Sequence, residues 1–248
     1  MVTALLALGE ALFQHSYPLY RPLYAAYKSV ADRQERAVLR QLVRPGMTVV
    51  DVGAHVGVYT QYLAQLVGPR GHVHAFEPSP VNYARLAAAV RGVGNVTAVQ
   101  AAAGERPGTT DLFLSTRYNV DHRTFDTGEG RPSIEVRVVS LDAYFPAGAR
   151  IDLVKIDVQG AECAVVRGAD RIIRQNMHLQ LLIEFWPYGL AQAGVHPRAL
   201  LDMLASLDLT WTPIGGAASW MSRGEFDTTD PRRYCNLIAH RPVHGTRV

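Results

Sequence analysis

Four carboxylates close or interrupt apolar runs in this chain. Asp51 lies in Val49-Val-Asp-Val52, Glu77 follows His72-Val-His-Ala-Phe76, Asp157 follows Ile151-Asp-Leu-Val-Lys-Ile156, and Glu184 lies in Leu179-Gln-Leu-Leu-Ile-Glu-Phe-Trp186. An acid near the exit of a buried strand can accept hydrogen bonds from hydroxyls, attract a cation, or take up a proton. It can equally cap a helix or hold a turn, and for Asp157 and Glu184 both readings stand. Glu162 falls in the first turn of the helix after Gly160, where negative charge is favoured in any case. One imidazole, His122, sits in a polar loop (Thr116 to Pro132) with Arg117, Asn119, Asp121 and Arg123. It is the first candidate for a general base, being neutral near pH 7; the alternative is an ordinary surface histidine. Loops of this length inside a domain bind ligands or stay disordered.

These side chains need a scaffold, and the stretch from Val49 to Thr60 supplies its centre. A β-favouring run enters Gly53, Gly57 follows, and a helical segment spans Val58 to Val67. Strand, glycine turn and helix together present backbone N–H groups to a ligand at the carboxyl edge of a parallel sheet. Glu77, about two dozen residues past Gly53, is placed to accept from ribose hydroxyls. The two features read as a nucleoside half-site. The pattern is Asp51-x-Gly53-x-x-x-Gly57, whereas a pyrophosphate asks for G-x-G-x-x-G. An acid two residues before the turn suits a ligand bearing an ammonium and a sulfonium, which describes S-adenosylmethionine. A nicotinamide-dependent NAD(P) oxidoreductase and a non-catalytic Rossmann-like binding protein remain the alternatives. Ala54, His55, Tyr59, Thr60 and Pro78 complete the candidate cofactor shell. Ala102 and Ala103, after the third strand, either leave room for adenine or form a tightly packed turn.

The chain has 248 residues, 48% hydrophobic and 19% charged, which suits one Rossmann-like domain (46–248) with a helical cap (1–45). A formal charge of +3 does not argue for nucleic acid, and Cys163 and Cys235 give neither a disulfide framework nor a metal spacing. A reducing, cytoplasmic setting follows. Only Lys28 and Lys155 are lysines; the other basic residues are arginines. The run Ala4 to Phe13 is too short to span a bilayer and reads as a docking helix. Tyr17, Tyr20, Tyr24 and Tyr27 fall at helical spacing, as a packing stripe or as a lid over the acceptor mouth. Pro18 and Pro22 predict that this helix is broken or starts late. Tyr24 and Lys28 also match the Y-x-x-x-K spacing of short-chain dehydrogenases, but they precede the cofactor strand instead of following it. Asp32 to Val43 reads as an amphipathic helix with Ala37, Val38 and Leu42 inward and Arg33, Glu35, Arg36 and Arg40 outward.

Further along, Pro78-Ser-Pro80 opens a helix to about Val90, and Asn95 to Gln100 is the third strand. Asp111–Ser115 and Ile134–Val139 alternate as an antiparallel, half-exposed pair. Ile151–Asp157 and Leu179–Trp186 are core strands, each followed by a helix (161–174 and 197–207). Trp211–Ile214 and Cys235–Ala239 make a closing antiparallel pair. The whole is an α/β fold with a mostly parallel sheet.

Three segments carry a family resemblance: Val50-Asp-Val-Gly-Ala-His-Val-Gly57, Phe76-Glu-Pro-Ser-Pro-Val-Asn82 and Val154-Lys-Ile-Asp-Val-Gln-Gly-Ala-Glu162. Together they resemble the signatures of FkbM-type methyltransferases over about Val49 to Trp186. The resemblance implies a class I methyltransferase fold: seven strands, helices on both faces, and an antiparallel last strand. It implies S-adenosylmethionine-dependent O-methylation of a hydroxyl on a small molecule, such as a natural product or a sugar. It maps Asp51, Gly53, Gly57, Glu77 and Asn82 onto cofactor contacts and Asp157 onto the donor–acceptor junction. Gln159 stands where members usually carry glutamate, which removes a charge at that turn. A hydroxyl is a poor acid, so a base or a metal must assist. His122, Asp157 and Glu184 are the catalytic candidates. Asp157 with Glu184 would suit Mg²⁺, though no dense acidic cluster calls for it, and no residue is assigned to a metal. Neither a nucleic-acid nor a membrane partner is expected; a homo-oligomer is left open.

Overall fold

Buried apolar strands with few polar positions belong in a sheet covered on both faces, and the strands of this chain meet that description. The structure is a computed structural model that describes residues 12, 13, 15–115, 121–215, 218–221, 224 and 226–242. After two N-terminal helices, α1 (Tyr17–Ala31) and α2 (Arg33–Leu42), the chain alternates strand and helix. The order is β1 (Thr48–Val52), α3 (Val58–Val67), β2 (His72–Phe76), α4 (Pro80–Ala89) and β3 (Val96–Val99). Three strands follow, β4 (Ala102–Ala103), β5 (Gly108–Phe113) and β6 (Ser133–Val139), then a short α5 (Leu141–Tyr144). The second half runs β7 (Leu153–Ile156), α6 (Glu162–Arg167), α7 (Asp170–Gln175), β8 (Gln180–Phe185), α8 (Pro187–Gln192) and α9 (Pro197–Ser206). It closes with β9 (Thr210–Pro213), α10 (Ala218–Met221) and β10 (Cys235–His240).

Seven strands form the main sheet in the order β3-β2-β1-β7-β8-β10-β9. The first five are parallel; β10 runs antiparallel to both β8 and β9. The last strand in the sequence is therefore the reversed one, as expected. The strand order turns outward in both directions from β1 and β7, which makes their carboxyl ends the topological switch point where α/β sheets bind ligands. The expected antiparallel pair after β3 is β5 and β6, and with β4 it makes a separate three-stranded sheet.

The structure departs from the sequence reading in four places. Helix α1 runs unbroken through Pro22. That proline forfeits one bond, to the carbonyl of Pro18, while Tyr20 and Tyr24 stack across it at 5.1 Å and Phe13, Tyr20 and Val56 bury one another. In α2 the fully buried side chain is Leu39, with Ala37, Val38 and Leu42 only half-buried. Glu35 is not outward either: it accepts from Asn236 Nδ2 of β10 at 3.2 Å, and Arg36 lies 3.9 Å from the Tyr62 ring centroid. The helix expected over 161–174 is two helices, α6 and α7, parted at Gly168. There a Cβ would stand 2.0 Å from the Gly104 carbonyl oxygen, so the chain bends where it presses on the neighbouring turn. The docking helix expected over Ala4–Phe13 falls mostly outside the described residues.

Candidate active site

The crest of the sheet is built on two glycines. Gly53 adopts φ +80°, and a Cβ there would lie 1.8 Å from the carbonyl oxygen of Asp157. No other residue lets the exits of β1 and β7 come this close. The N–H groups of Gly53 and Ala54 both donate to the Phe76 carbonyl at 3.0 Å, which binds the turn to the exit of β2. His55 has φ +51°, rare for a residue with a side chain. Its N–H donates to Glu77 Oε2 at 2.9 Å. Gly57, at φ +86°, opens α3 against Leu86.

Glu77 is buried, and its other oxygen accepts from Ser79 N–H at 3.0 Å. Burial pushes its pKa up to about 7, against the opposing pull of the Ser79 and His55 amides and the Asn82 side chain. Its two oxygens hold two backbone N–H groups and the Asn82 side chain, and lone-pair capacity remains. An incompletely compensated buried carboxylate of this kind is suited to a vicinal diol, whose two O–H groups are donors. The same carboxylate would repel a phosphate.

Asp51 is not at the surface of the turn. It is fully buried; Thr60 Oγ1 donates to Oδ2 at 2.7 Å, and Lys155 Nζ lies 3.4 Å from Oδ1. The two residues are register partners on β1 and β7, so their side chains share a face. The cation that Asp51 meets is thus one of the chain's own. Lys155 also reaches Asp157 Oδ2 at 3.5 Å, and its pKa is raised because Asp51 and then Asp157 outweigh its burial.

Beyond β7 the acids change character. Gln159, held at φ +55°, donates from one amide nitrogen to Asp157 Oδ1 at 2.9 Å and to Glu184 Oε2 at 3.0 Å. The glutamine joins two carboxylates that a glutamate would repel. Burial acts to raise Asp157, but Lys155, then Lys28 and the Gln159 amide, hold it below its ordinary value. Glu184 is pushed well above the usual carboxylate range by burial, then by the charges of Asp157 and Glu162. Glu162 is buried too, accepts from Gly160 N–H at 3.0 Å, and is raised by burial to about 7. One crest therefore holds an acid whose ionised form is favoured beside an acid that binds its proton more tightly, the pattern that separates acid and base roles.

His122 reaches this neighbourhood: after burial, its charge is the largest influence lowering His55, to about 3. Its Nδ1, however, accepts the Ser115 N–H at 3.1 Å. That bond engages the basic lone pair and leaves the proton of the neutral ring on Nε2. Ala102 and Ala103 are brought to β4, where Ala102 packs with Leu112 and Val136 and Ala103 joins the main core. Pro78 follows Glu77 and Asn82 is buried in α4, on the same side as the turn. Among the described residues no group of three or more His, Cys, Asp or Glu could hold a metal ion. A cavity of about 320 Å³ between α1, α2 and α3, lined by Arg21, Arg36, Gln61 and Tyr62 among others, contains none of these acids.

Three features of the site were not foreseen in the sequence: Lys155 between two acids, the Gln159 bridge and the contact of helix α1 with the glycine turn. A cation inside the apolar run Leu153-Val-Lys-Ile156 is itself a signal, since a strand with both faces covered admits a lysine only with a counter-charge. Helix α1 reaches the turn through Tyr24, whose ring meets that of His55 edge-on at 5.6 Å. A buried basic residue further along, Arg123, lies 5.1 Å from the Trp186 ring centroid at the exit of β8 and pairs with Asp121 at 2.8 Å.

The sheet order, the glycine turn and the carboxylate after β2 define a class I S-adenosylmethionine-dependent methyltransferase. Solved structures agree on the fold. A Clostridium thermocellum protein named for rRNA methylation aligns with 86% of this chain and 96% of its own at TM-score 0.52 and 13% identity. A Streptococcus mutans protein crystallised with SAH aligns with 84% of this chain and 95% of its own at TM-score 0.50 and 11% identity. The family described as "Methyltransferase FkbM domain" matches residues 51–207, and the chain belongs to it. Among curated relatives, 31-O-demethyl-FK506 methyltransferase FkbM of Streptomyces tacrolimicus is 35% identical over 65% of this chain and 70% of its own. The 2-O-methyltransferase NoeI of Sinorhizobium fredii is 25% identical over 70% of this chain and 77% of its own. Helices α1 and α2 precede the family match.

Proposed function

We propose that this methyltransferase transfers the methyl group of S-adenosylmethionine to a hydroxyl of a small-molecule acceptor, of natural-product or sugar type. The names of the Streptomyces and Sinorhizobium relatives, both oxygen methylations, support that reading. The observation that carries it is the Asp157–Gln159–Glu184 bridge, set beside the glycine turn by the Gly53–Asp157 contact. Glu77 would hold the ribose hydroxyls, with Gly53, Ala54 and His55 forming the wall of the turn. The sulfonium of the donor supplies an already activated methyl group.

What the chain must add is alignment and removal of a proton. Alignment of an acceptor oxygen supplies several kcal/mol, about 7 in favourable cases. For the proton, Glu184 is the better acceptor, because a carboxylate held well above its usual range is the stronger base. Asp157, kept ionised by Lys155, is the weaker base; it orients Gln159, which in turn fixes Glu184. His122, with its lone pair turned to Ser115, serves the loop and not the proton transfer.

The test is incubation with S-adenosylmethionine and a panel of hydroxylated, amino and thiol acceptors, read by mass spectrometry. Methylation confined to hydroxyl acceptors is the expected outcome. Transfer to amines alone would overturn the oxygen assignment and leave the donor assignment intact.

A further inference from the structure

We propose that Lys28 of α1, a residue outside the family match, pairs with the carboxylate at the amino-acid end of the donor. The inference rests on the donor reading of the crest. S-adenosylmethionine carries two cationic centres and one carboxylate. A crest that carries Glu77, Asp157 and Glu184 over the fully buried Asp51 and Glu162 suits the cations and opposes the carboxylate. A carboxylate entering such a site needs a cation with donors to spare.

Among the described residues, three cations stand near this crest, and they differ in place and in what they already hold. Lys155 is only 6% exposed in its side chain and sits between Asp51 at 3.4 Å and Asp157 at 3.5 Å. Arg123 keeps a buried Nη1 without a partner among the described residues, but it lies at the far, β8 end, paired through Nε with Asp121 and packed on Trp186. Lys28 differs. Its side chain is 26% exposed and it has a single acid for a partner, Asp32. That acid is shared, since the Tyr59 hydroxyl donates to Asp32 Oδ2 at 2.9 Å. An ammonium has three donors, so Lys28, with one acid partner, keeps more capacity than Lys155, with two.

Its placement is also specific. Lys28 Nζ stands 5.7 Å from the centroid of the Tyr59 ring and Lys155 Nζ stands 5.0 Å from the same centroid. The only two lysines of the chain thus flank one ring in the first turn of α3, directly after the glycine turn. One turn earlier in α1, Tyr24 meets His55 of that turn at 5.6 Å. Helix α1 is thereby held over the turn by contacts on either side of Lys28. A compact ammonium on a flexible stem can swing from Asp32 to a ligand oxygen without disturbing the Asp32–Tyr59 bond.

The experiment compares S-adenosylhomocysteine with 5′-methylthioadenosine, which keeps the adenosine and the thioether but lacks the amino-acid end. By calorimetry, Lys28→Met is expected to weaken S-adenosylhomocysteine on the order of tenfold or more, the loss of a charge-assisted bond, and to leave methylthioadenosine within about twofold of the parent. Equal weakening of both ligands, or of neither, overturns the proposal. A second readout needs no altered fold. The parent chain is reductively methylated with ¹³C, which preserves the lysine charge and labels two side chains, told apart through Lys28→Arg. The Lys28 signal should move with S-adenosylhomocysteine and stay in place with methylthioadenosine; the same response to both refutes the pairing. A parent chain that binds neither ligand would instead bring down the donor reading itself.

Discussion

Lys155→Met is the substitution that tests the architecture of the crest most directly. Lys155 and Asp51 are register partners whose charged atoms lie 3.4 Å apart, with Asp51 fully buried. At an effective dielectric of about 20, charges at that distance attract by roughly 5 kcal/mol. Methionine recovers the desolvation of the ammonium but strands the carboxylate, leaving it only the Thr60 hydroxyl at 2.7 Å. Removing one partner of a buried pair costs about 3–5 kcal/mol. For a domain of this size that corresponds to a fall in Tm of roughly 10 °C. The assay is urea and thermal unfolding of the parent, Lys155→Met, Asp51→Asn and the double variant. The double variant should recover at least half of the loss, because a neutral pair no longer carries an uncompensated charge. A single variant within about 1 kcal/mol of the parent would refute the pairing, as would strictly additive losses.

Further outcomes follow from the same crest. Glu77 has its pKa raised to about 7 in the free chain, and hydroxyl donors favour its ionised form, so donor binding should release a proton below that pH. Affinity for S-adenosylhomocysteine should therefore climb as pH rises toward 7 and then level off, and Glu77→Gln should flatten the curve in calorimetry. The raised values of Glu77 and Glu162 also imply that the ligand-free chain loses stability as pH rises from about 4.5 through 7, since the folded state holds protons that the unfolded chain gives up. Glu184→Gln should lower kcat by about a hundredfold or more with little change in donor affinity, and should abolish the rise of kcat with pH that titration of Glu184 produces. His122→Ala should leave that rise in place. Gly53→Ala, which forces a Cβ to 1.8 Å from the Asp157 carbonyl oxygen, should cost several kcal/mol in unfolding assays because β1 and β7 must part.

The parallel sheet and its reversed last strand were legible because buried strands punctuated by glycine turns leave a strong pattern, and the acid after β2, Glu77, sits a short way along the chain from that turn. Asp51 was recognised as important, but its partner Lys155 was not legible: the facing cation comes from β7, about a hundred residues away, and only register brings it there. The role of His122 turned on a single hydrogen bond from Ser115, which no spacing rule encodes. Helix α1 was legible from its tyrosine spacing, but not its continuity: the local penalty of Pro22 is offset by the Tyr20–Tyr24 stack and by packing among Phe13, Tyr20 and Val56. Gln159 illustrates the reverse case. By composition it is a missing charge; by geometry its amide is the donor that two converging carboxylates require.

That same glutamine occupies a backbone conformation that side-chain-bearing residues avoid, at φ +55°. Glycine would relieve a backbone cost of about 1 kcal/mol but would forfeit two bonds to carboxylates, each worth more than that. It would also release the two acids from each other. The chain thus keeps a tense turn because the side chain it carries repays the tension through the two acids it joins.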